Sequence, residues 1–257
     1  MNPVSIVIPV RIESREREEN LRCVVSHLLQ LPFVHVDILE ADQERRLTDI
    51  SHERICYCFI ADNENVFYRT RYLNVLLKNA EYSIVGVWDT DILVSPEQLI
   101  KAIEFIRQGY VFCFPYNGEF RLLNSHESDL VRSDSKNLKE SAGSLLMKRP
   151  SVGGAFLVNK EKYLSAGGEN EGFYGWGPED IERVKRLEIL EYPIARTEGP
   201  CYHLFHPRQS SGRETNEEKR MIYNKKVLLD ICKRTKEELE FAIRNRTDGF
   251  SYMDRWS

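Results

Sequence analysis

Three short clusters in this chain carry side chains that could do chemistry together. They are Asp89-Thr90-Asp91 at the end of an apolar run, Glu179-Asp180 just after Gly175-Trp176-Gly177-Pro178, and the histidines His203 and His206. The run 85–94 reads as a strand, and successive side chains of a strand alternate faces, so Asp89 and Asp91 are expected to share one face. Two carboxylates side by side repel unless a cation sits on them, and hard oxygen donors suit Mg²⁺ or Mn²⁺. Those ions usually complete their shells with waters and a substrate's phosphate oxygens, which points to a nucleotide-linked substrate. The plain alternative is an Asp-Thr-Asp that ends a strand and opens a turn. Two histidines in one short run make a metal bond at least as reasonable as a structural role. Glu179 and Asp180 follow a helix-opening proline, where acidic residues complement the dipole. The glycines and aromatic rings just before them are not needed for a cap, and they suit a sugar.

The elements that must position these groups alternate between strand and helix. An apolar strand over 4–9, stopped by Pro9, precedes a helix over 14–30 with Leu21, Val24, Val25, Leu28 and Leu29 at helical spacing. Strands follow at 34–39 and 55–60, then a helix at 67–79, the Asp-Thr-Asp strand, and a helix after Ser95-Pro96-Glu97-Gln98, a capping-box start. A strand at 110–115 completes an α/β pattern, so a mostly parallel sheet flanked by helices is expected. Ligands of such sheets bind beyond the carboxyl ends of the strands, where Asp42, Asp89 and Asp91 stand. Residues 116–149 read as irregular with short helices. A strand at 151–158 carries Gly153-Gly154, which lets a ligand approach the backbone closely. The stretch 207–216 has loop composition, expected to act as a mobile lid, and 217–246 reads as one long amphipathic helix with a solvated polar face.

Composition narrows the function classes. The 257 residues, 42% apolar and 30% charged, are ordinary for a globular protein, and a net charge of −4 offers no basic surface for nucleic acid. The start resembles no signal peptide, and no apolar run is long enough to cross a membrane, so a soluble protein is expected. The six cysteines form no Cys-x-x-Cys pair and read as buried, reduced thiols.

Four separated stretches, in order, resemble the β-1,4-galactosyltransferase family and its bacterial relatives. Ile8-Pro9-Val10-Arg11 resembles the family's Pro-Phe-Arg motif, and Phe67-Tyr68-Arg69-Thr70-Arg71-Tyr72-Leu73-Asn74-Val75 its Phe-Asn-Arg-Ala-x-x-Leu-Asn-Val helix. Asp89-Thr90-Asp91 stands for Asp-Val-Asp. Gly153-Gly154 with Gly175-Trp176-Gly177-Pro178-Glu179-Asp180 is similar to Gly-Gly with Gly-Trp-Gly-Gly-Glu-Asp. His203-Leu204-Phe205-His206 resembles Met-x-x-His, with His203 in place of methionine. The resemblance implies the GT-A glycosyltransferase fold over 1–216, with a nucleotide-binding half to about residue 115, an acceptor and metal-histidine half at 116–216, and a C-terminal helical extension at 217–257. It also implies roles. Asp180 is the catalytic base. Pro9, Arg11, Asp42, Arg69, Asp89 and Gly154 serve the donor nucleotide, while Ser151, Gly153, Trp176 and Glu179 line the sugar pocket. Asp91, His206 and His203 hold Mn²⁺ or Mg²⁺. The segment after Arg11 is longer than in the family, which leaves open whether Arg15 or Arg17 reaches the nucleotide.

The expected activity is metal-dependent, inverting transfer of a hexose or N-acetylhexosamine from UDP-Gal or UDP-GalNAc to a saccharide or lipid-linked glycan. Lacking the membrane anchor and disulfides of animal members, the chain is expected to be cytoplasmic and bacterial-type, in surface polysaccharide synthesis, with peripheral association to the inner membrane compatible with this. A retaining transferase and a non-catalytic sugar-binding protein on the same fold are the alternatives. A nucleotidyltransferase fits poorly, because 11–20 contains no glycine for a phosphate loop.

Overall fold

The computed structural model describes residues 1–175, 177–207 and 217–245. A seven-stranded sheet forms the core, in the order β10 (Ile194–Arg196), β6 (Phe112–Phe114), β9 (Ala155–Asn159), β4 (Ile84–Trp88), β1 (Val4–Val10), β2 (Val34–Asp42) and β3 (Ile55–Ala61). It is mostly parallel. Only β9 runs against its neighbours, β4 and β6. Every residue of β1 is buried, as a continuous apolar run between two neighbours demands. Helices α1 (Arg15–Leu28), α2 (Arg69–Asn79) and α3 (Pro96–Arg107) pack along this sheet. The capping box of α3 is present as expected, and Gln98 also donates to Pro115 O and Pro200 O, tying the helix start to both later segments.

Proline does not stop β1. The Val4 N–H donates toward β2, to Phe33 O, so by alternation Pro9 turns its nitrogen toward β4. Pairing with β4 has already ended at Val7, and no ladder bond is lost.

The Asp-Thr-Asp segment is likewise not one strand. The chain leaves the large sheet at Trp88 and re-enters order as β5 (Ile92–Leu93) in a second, four-stranded sheet, β5-β11-β7-β8. Here β7 is Phe120–Leu122, β8 Ser144–Leu145 and β11 Cys201–His203. Residues 89–91 are therefore the crossing between two sheets. Residues 116–149 contain two of these strands, with α4 (Ser125–Ser133) and a 3-10 turn at Ser135–Glu140. Residues 151–154 precede β9 rather than joining it, and Gly154 has φ +87°. Short α5 (Lys160–Ser165) and then α6 (Glu179–Ile189) follow.

The C-terminal segment is two helices, α7 (Glu217–Cys232) and α8 (Lys236–Arg244), separated where Thr235 and Glu238 form a capping box. α7 lies against α6 and against the glycines before it: a Cβ on Gly175 would come within 2.7 Å of Arg220, and one on Gly177 within 2.4 Å of Asn224. The cysteines are all free, with Cys56 and Cys232 exposed rather than buried. Among the described residues no helix is long and apolar enough to cross a membrane.

Candidate active site

The crossing between sheets sends Asp89 and Asp91 to different partners instead of one shared face. Asp89 N–H continues the β4–β9 ladder to Gly154 O at 2.9 Å, and its carboxylate turns to Arg69 at the start of α2. Arg69 donates Nε and Nη2 to Asp89 Oδ1 at 3.1 and 2.5 Å, while its buried Nη1 has no hydrogen-bond partner. Burial would lower the guanidinium, but Asp89, Asp180 and Glu179 keep its pKa raised. Asp89 keeps 35% of its side chain open, yet protein crowds its other sides. Burial pushes its carboxyl up against the pull of Arg69, with Asp91 and Asp180 adding repulsion.

On that side stand Glu179 and Asp180, in the first turn of α6. Asp180 Oδ1 accepts from Arg183 at 2.6 Å, and its Oδ2 occupies the place a Cβ on Gly153 would need, 2.6 Å away. Arg183 is itself completely buried, donates through Nε and Nη2 to Glu169, and Glu169 also accepts from the Tyr163 phenol. Burial and the neighbouring Asp180 carboxylate push Glu179 up to about 8, and its buried Oε2 has no hydrogen-bond partner.

Asp91 faces the small sheet. Its Oδ1 is 3.6 Å from His203 Nε2 and its Oδ2 is 3.3 Å from His206 Nε2 and 3.8 Å from Arg17 Nη1. Burial opposes the Asp91 charge, but His203, His206 and Arg17 together hold its pKa well below the usual carboxylate range. The donor atoms of Asp91, His203 and His206 all lie within 4.8 Å of one another, close enough to share one ion. His206 Nδ1 lies 3.2 Å from Pro207 O, a contact that requires the proton on Nδ1 and leaves Nε2 free as a ligand. One carboxylate and two imidazoles can hold a divalent first-row ion and leave coordination positions open.

Arg11 and Asp42 sit at the carboxyl ends of β1 and β2. Arg11 is fully engaged, by Nε to Ala41 O, Nη1 to Glu64 O and Nη2 to Asp62, with Phe67 beneath it. Asp42 accepts from Gln43 N and pairs with Arg46 at 3.5 Å. Pro9 is buried within β1. Of the two arginines left open, Arg15 is exposed and paired with Glu19, whereas Arg17 donates to Thr90 Oγ1 at 3.1 Å. Ser151 is buried beside the phenol of Tyr116, which donates to Gly153 O at 2.6 Å. Trp176 and most of the 207–216 loop lie outside the described residues. Sequence reasoning missed Asp62, Tyr116, Glu169 and Arg183. The first two lie just past runs read only as strands, and the last two lie 14 positions apart, flanking the Gly-Trp-Gly-Pro-Glu-Asp motif without belonging to it.

Residues 145–207 match the family described as the N-terminal domain of galactosyltransferase, a span that holds Ser151, Gly153, Gly154, Asp180, His203 and His206. Among solved structures, the chain is similar to a variant of Drosophila β1,4-galactosyltransferase 7 in complex with manganese, UDP-Gal and xylobiose, with TM-score 0.53, 18% identity, and coverage of 85% of this chain and 79% of that one. The catalytic domain of the same Drosophila enzyme, in complex with xylobiose, gives TM-score 0.49 and 16% identity over the same shares. No curated protein sequence matches. The family match over residues 145–207 agrees with the motifs, and the fold shared with the Drosophila enzyme is the GT-A fold.

Proposed function

We propose that the protein moves a hexose from a UDP-sugar to a saccharide hydroxyl with inversion at the anomeric carbon, and that it needs Mn²⁺ or Mg²⁺ to do so. The carrying observation is the cluster of Asp91, His203 and His206, whose donor atoms lie within 4.8 Å of one another, together with Asp180 held by Arg183 beside Gly153. A displacement at an anomeric carbon needs a base for the incoming hydroxyl on one side and a place for the leaving diphosphate on the other. Asp180, kept from turning by Gly153 and Arg183, is the base. Asp91, His206 and His203 would hold the metal, which when bound supplies Lewis-acid stabilisation of the departing diphosphate.

The other residues bind and orient. Asp89, fixed by Arg69, takes the donor's sugar or ribose hydroxyls. Glu179, protonated near neutral pH by its burial, can donate a hydrogen bond to a sugar oxygen as well as accept one. Arg17, at the rim of the Asp91 cluster, is the arginine that reaches the diphosphate, while Arg11 and Asp42 shape the base-binding end of the strands and Gly154 gives the donor close approach. Trp176 completes the sugar pocket in this reading. The manganese and UDP-Gal named for the Drosophila structure support the same choice of ion and donor, and its xylobiose supports a saccharide acceptor. α7 seats on the glycines before Asp180, so we read residues 217–245 as part of one unit with the catalytic domain.

A second donor is favoured by Ser151. The argument for UDP-GalNAc is that serine is a small side chain at this position, and the argument for UDP-Gal is that the Tyr116 phenol stands beside it. We further place the acceptor among surface polysaccharide or glycolipid precursors, handled in the cytoplasm. The deciding experiment incubates the protein with Mn²⁺, a panel of UDP-sugars and saccharide acceptors, and reads the product's anomeric configuration by NMR. A β-linked product from an α-linked donor is expected. An α-linked product indicates a retaining enzyme, and absence of both transfer and donor hydrolysis indicates a sugar-binding protein.

A further inference from the structure

The two metal histidines are joined by a peptide that is held from three directions. Leu204 N–H donates to Asp91 O at 2.8 Å. Phe205 N–H donates to Ser128 Oγ at 2.8 Å, and Phe205 O accepts from Asn20 Nδ2 at 3.2 Å. Neither Ser128, on α4, nor Asn20, on α1, has any exposed surface. Arg132 Nη1 lies 2.6 Å from Asn20 Oδ1, and because a guanidinium only donates, this contact fixes which end of the amide faces Phe205 O.

A second relation points the same way. Arg17 and Asn20 are three residues apart on α1, so they lie on one helical face. Arg17 addresses Thr90 and Asp91, and Asn20 addresses the segment between His203 and His206. One helix face thus registers two ligand-bearing segments that are more than a hundred positions apart in sequence. The Phe205 side chain is 39% exposed, so the tie at this residue is made by its peptide and not by burial of its ring.

We infer that Asn20 and Ser128 are positioning residues of the metal centre: they clamp the Phe205 peptide and so hold His206 at the distance from Asp91 and His203 that one ion requires. This rests on the metal-centre reading above. Outer groups that orient ligands change metal affinity without touching the metal, typically by about 10- to 100-fold. The clamp acts on His206 through the backbone, so its loss should release that imidazole selectively and leave the fold and the Asp89 side of the site in place.

The test uses the full chain, with Mn²⁺ as the probe in the presence of UDP. Ser128→Ala removes one hydroxyl, and Asn20→Leu replaces the amide with an apolar group of like size. Mn²⁺ affinity is measured by calorimetry, and bound Mn²⁺ by pulsed electron paramagnetic resonance, which counts coupled histidine nitrogens. Each variant is expected to bind Mn²⁺ about 10- to 100-fold more weakly, with weaker coupling to one of the two nitrogens and a circular dichroism spectrum like wild type. Wild-type affinity and unchanged nitrogen coupling in either folded variant overturn the clamp. Mn²⁺ binding that His206→Ala leaves at the wild-type level overturns the metal-centre reading instead.

Discussion

Asp89 and Asp91 are separated by one residue and yet belong to opposite electrostatic regions. Around Asp91 positive and neutral donors prevail: His203, His206 and Arg17 surround a single carboxylate and keep it ionised. Around Asp89 carboxylates prevail, with Asp180 and Glu179 sharing the field of Arg69, and Glu179 is pushed up to about 8. The difference follows from topology. At residues 89–91 the chain passes from the large sheet to the small one, and each aspartate faces the elements of the sheet it adjoins. In the proposed mechanism one region holds a cation against a leaving group, and the other holds a proton acceptor and a neutral acid against a sugar.

The largest effect that separates the regions is expected at Asp180. Asp180→Asn keeps the side chain's shape between Gly153 and Arg183 but removes the base. It should lower kcat by about 10²- to 10⁴-fold, with the KM for the donor and Mn²⁺ affinity near wild type, measured by steady-state kinetics and calorimetry. Near-normal turnover would remove Asp180 from the mechanism.

Asp91→Ala and His206→Ala should act in the other region and on binding. Each removes a ligand, so the loss of Mn²⁺ affinity should exceed the roughly 10- to 100-fold typical of an outer partner. UDP binding should fall with it, because an ion held there would supply positive charge to the diphosphate. Calorimetry with UDP and Mn²⁺ checks both, and unchanged metal-dependent UDP binding would dissolve the distinction between the two regions.

A pH test sharpens the contrast further. Glu179 keeps its proton in the folded state up to about 8 but gives it up near 4.5 when unfolded. Between those values the native protein binds more protons than the unfolded chain, so stability falls as pH rises through that window, by at most about 1.4 kcal/mol per pH unit. Glu179→Gln, an uncharged isostere, should match wild type near pH 4.5 and have the higher Tm at pH 8 and above. Parallel Tm curves for the two proteins across that range would show that Glu179 does not carry a raised pKa.

How much of this could be read in the sequence depended on the range of the interactions. The alternation of strand and helix, the capping box at Ser95 and Gln98, and the order of the chemical clusters are local patterns, and the fold follows them. The small sheet is not local: its strands are two or three residues long, too short to show periodicity, and Tyr202 pairs with both Leu93 and Arg121, far from it in sequence. Its absence from the reading is why Asp89 and Asp91 were expected on one strand face. The Glu169–Arg183 pair is invisible for a related reason, since charged residues flanking a motif give no sign that they are buried together. Two missed features did have local signs. Asn124 with Glu127, and Thr235 with Glu238, are capping boxes that mark the starts of α4 and α8.

The smallest expected effect concerns the donor sugar, on the base side of the comparison. Ser151 precedes Gly153 by two residues, and Gly153 touches Asp180, so a group enlarged at 151 is felt where the sugar and base meet. Ser151 is buried, its hydroxyl beside the Tyr116 phenol, and Tyr116 in turn donates to Gly153 O. If the space at Ser151 admits an N-acetyl group, Ser151→Tyr should depress kcat/KM for UDP-GalNAc while sparing UDP-Gal, by an amount equivalent to about 1 kcal/mol, the worth of one such contact. If Tyr116 already fills that space, wild type should prefer UDP-Gal, and the substitution should reduce both donors alike by crowding the phenol. The ratio of the two kcat/KM values, before and after substitution, separates these outcomes. Asp91→Ala supplies the control, because loss of the metal should weaken both donors equally and leave their ratio unchanged.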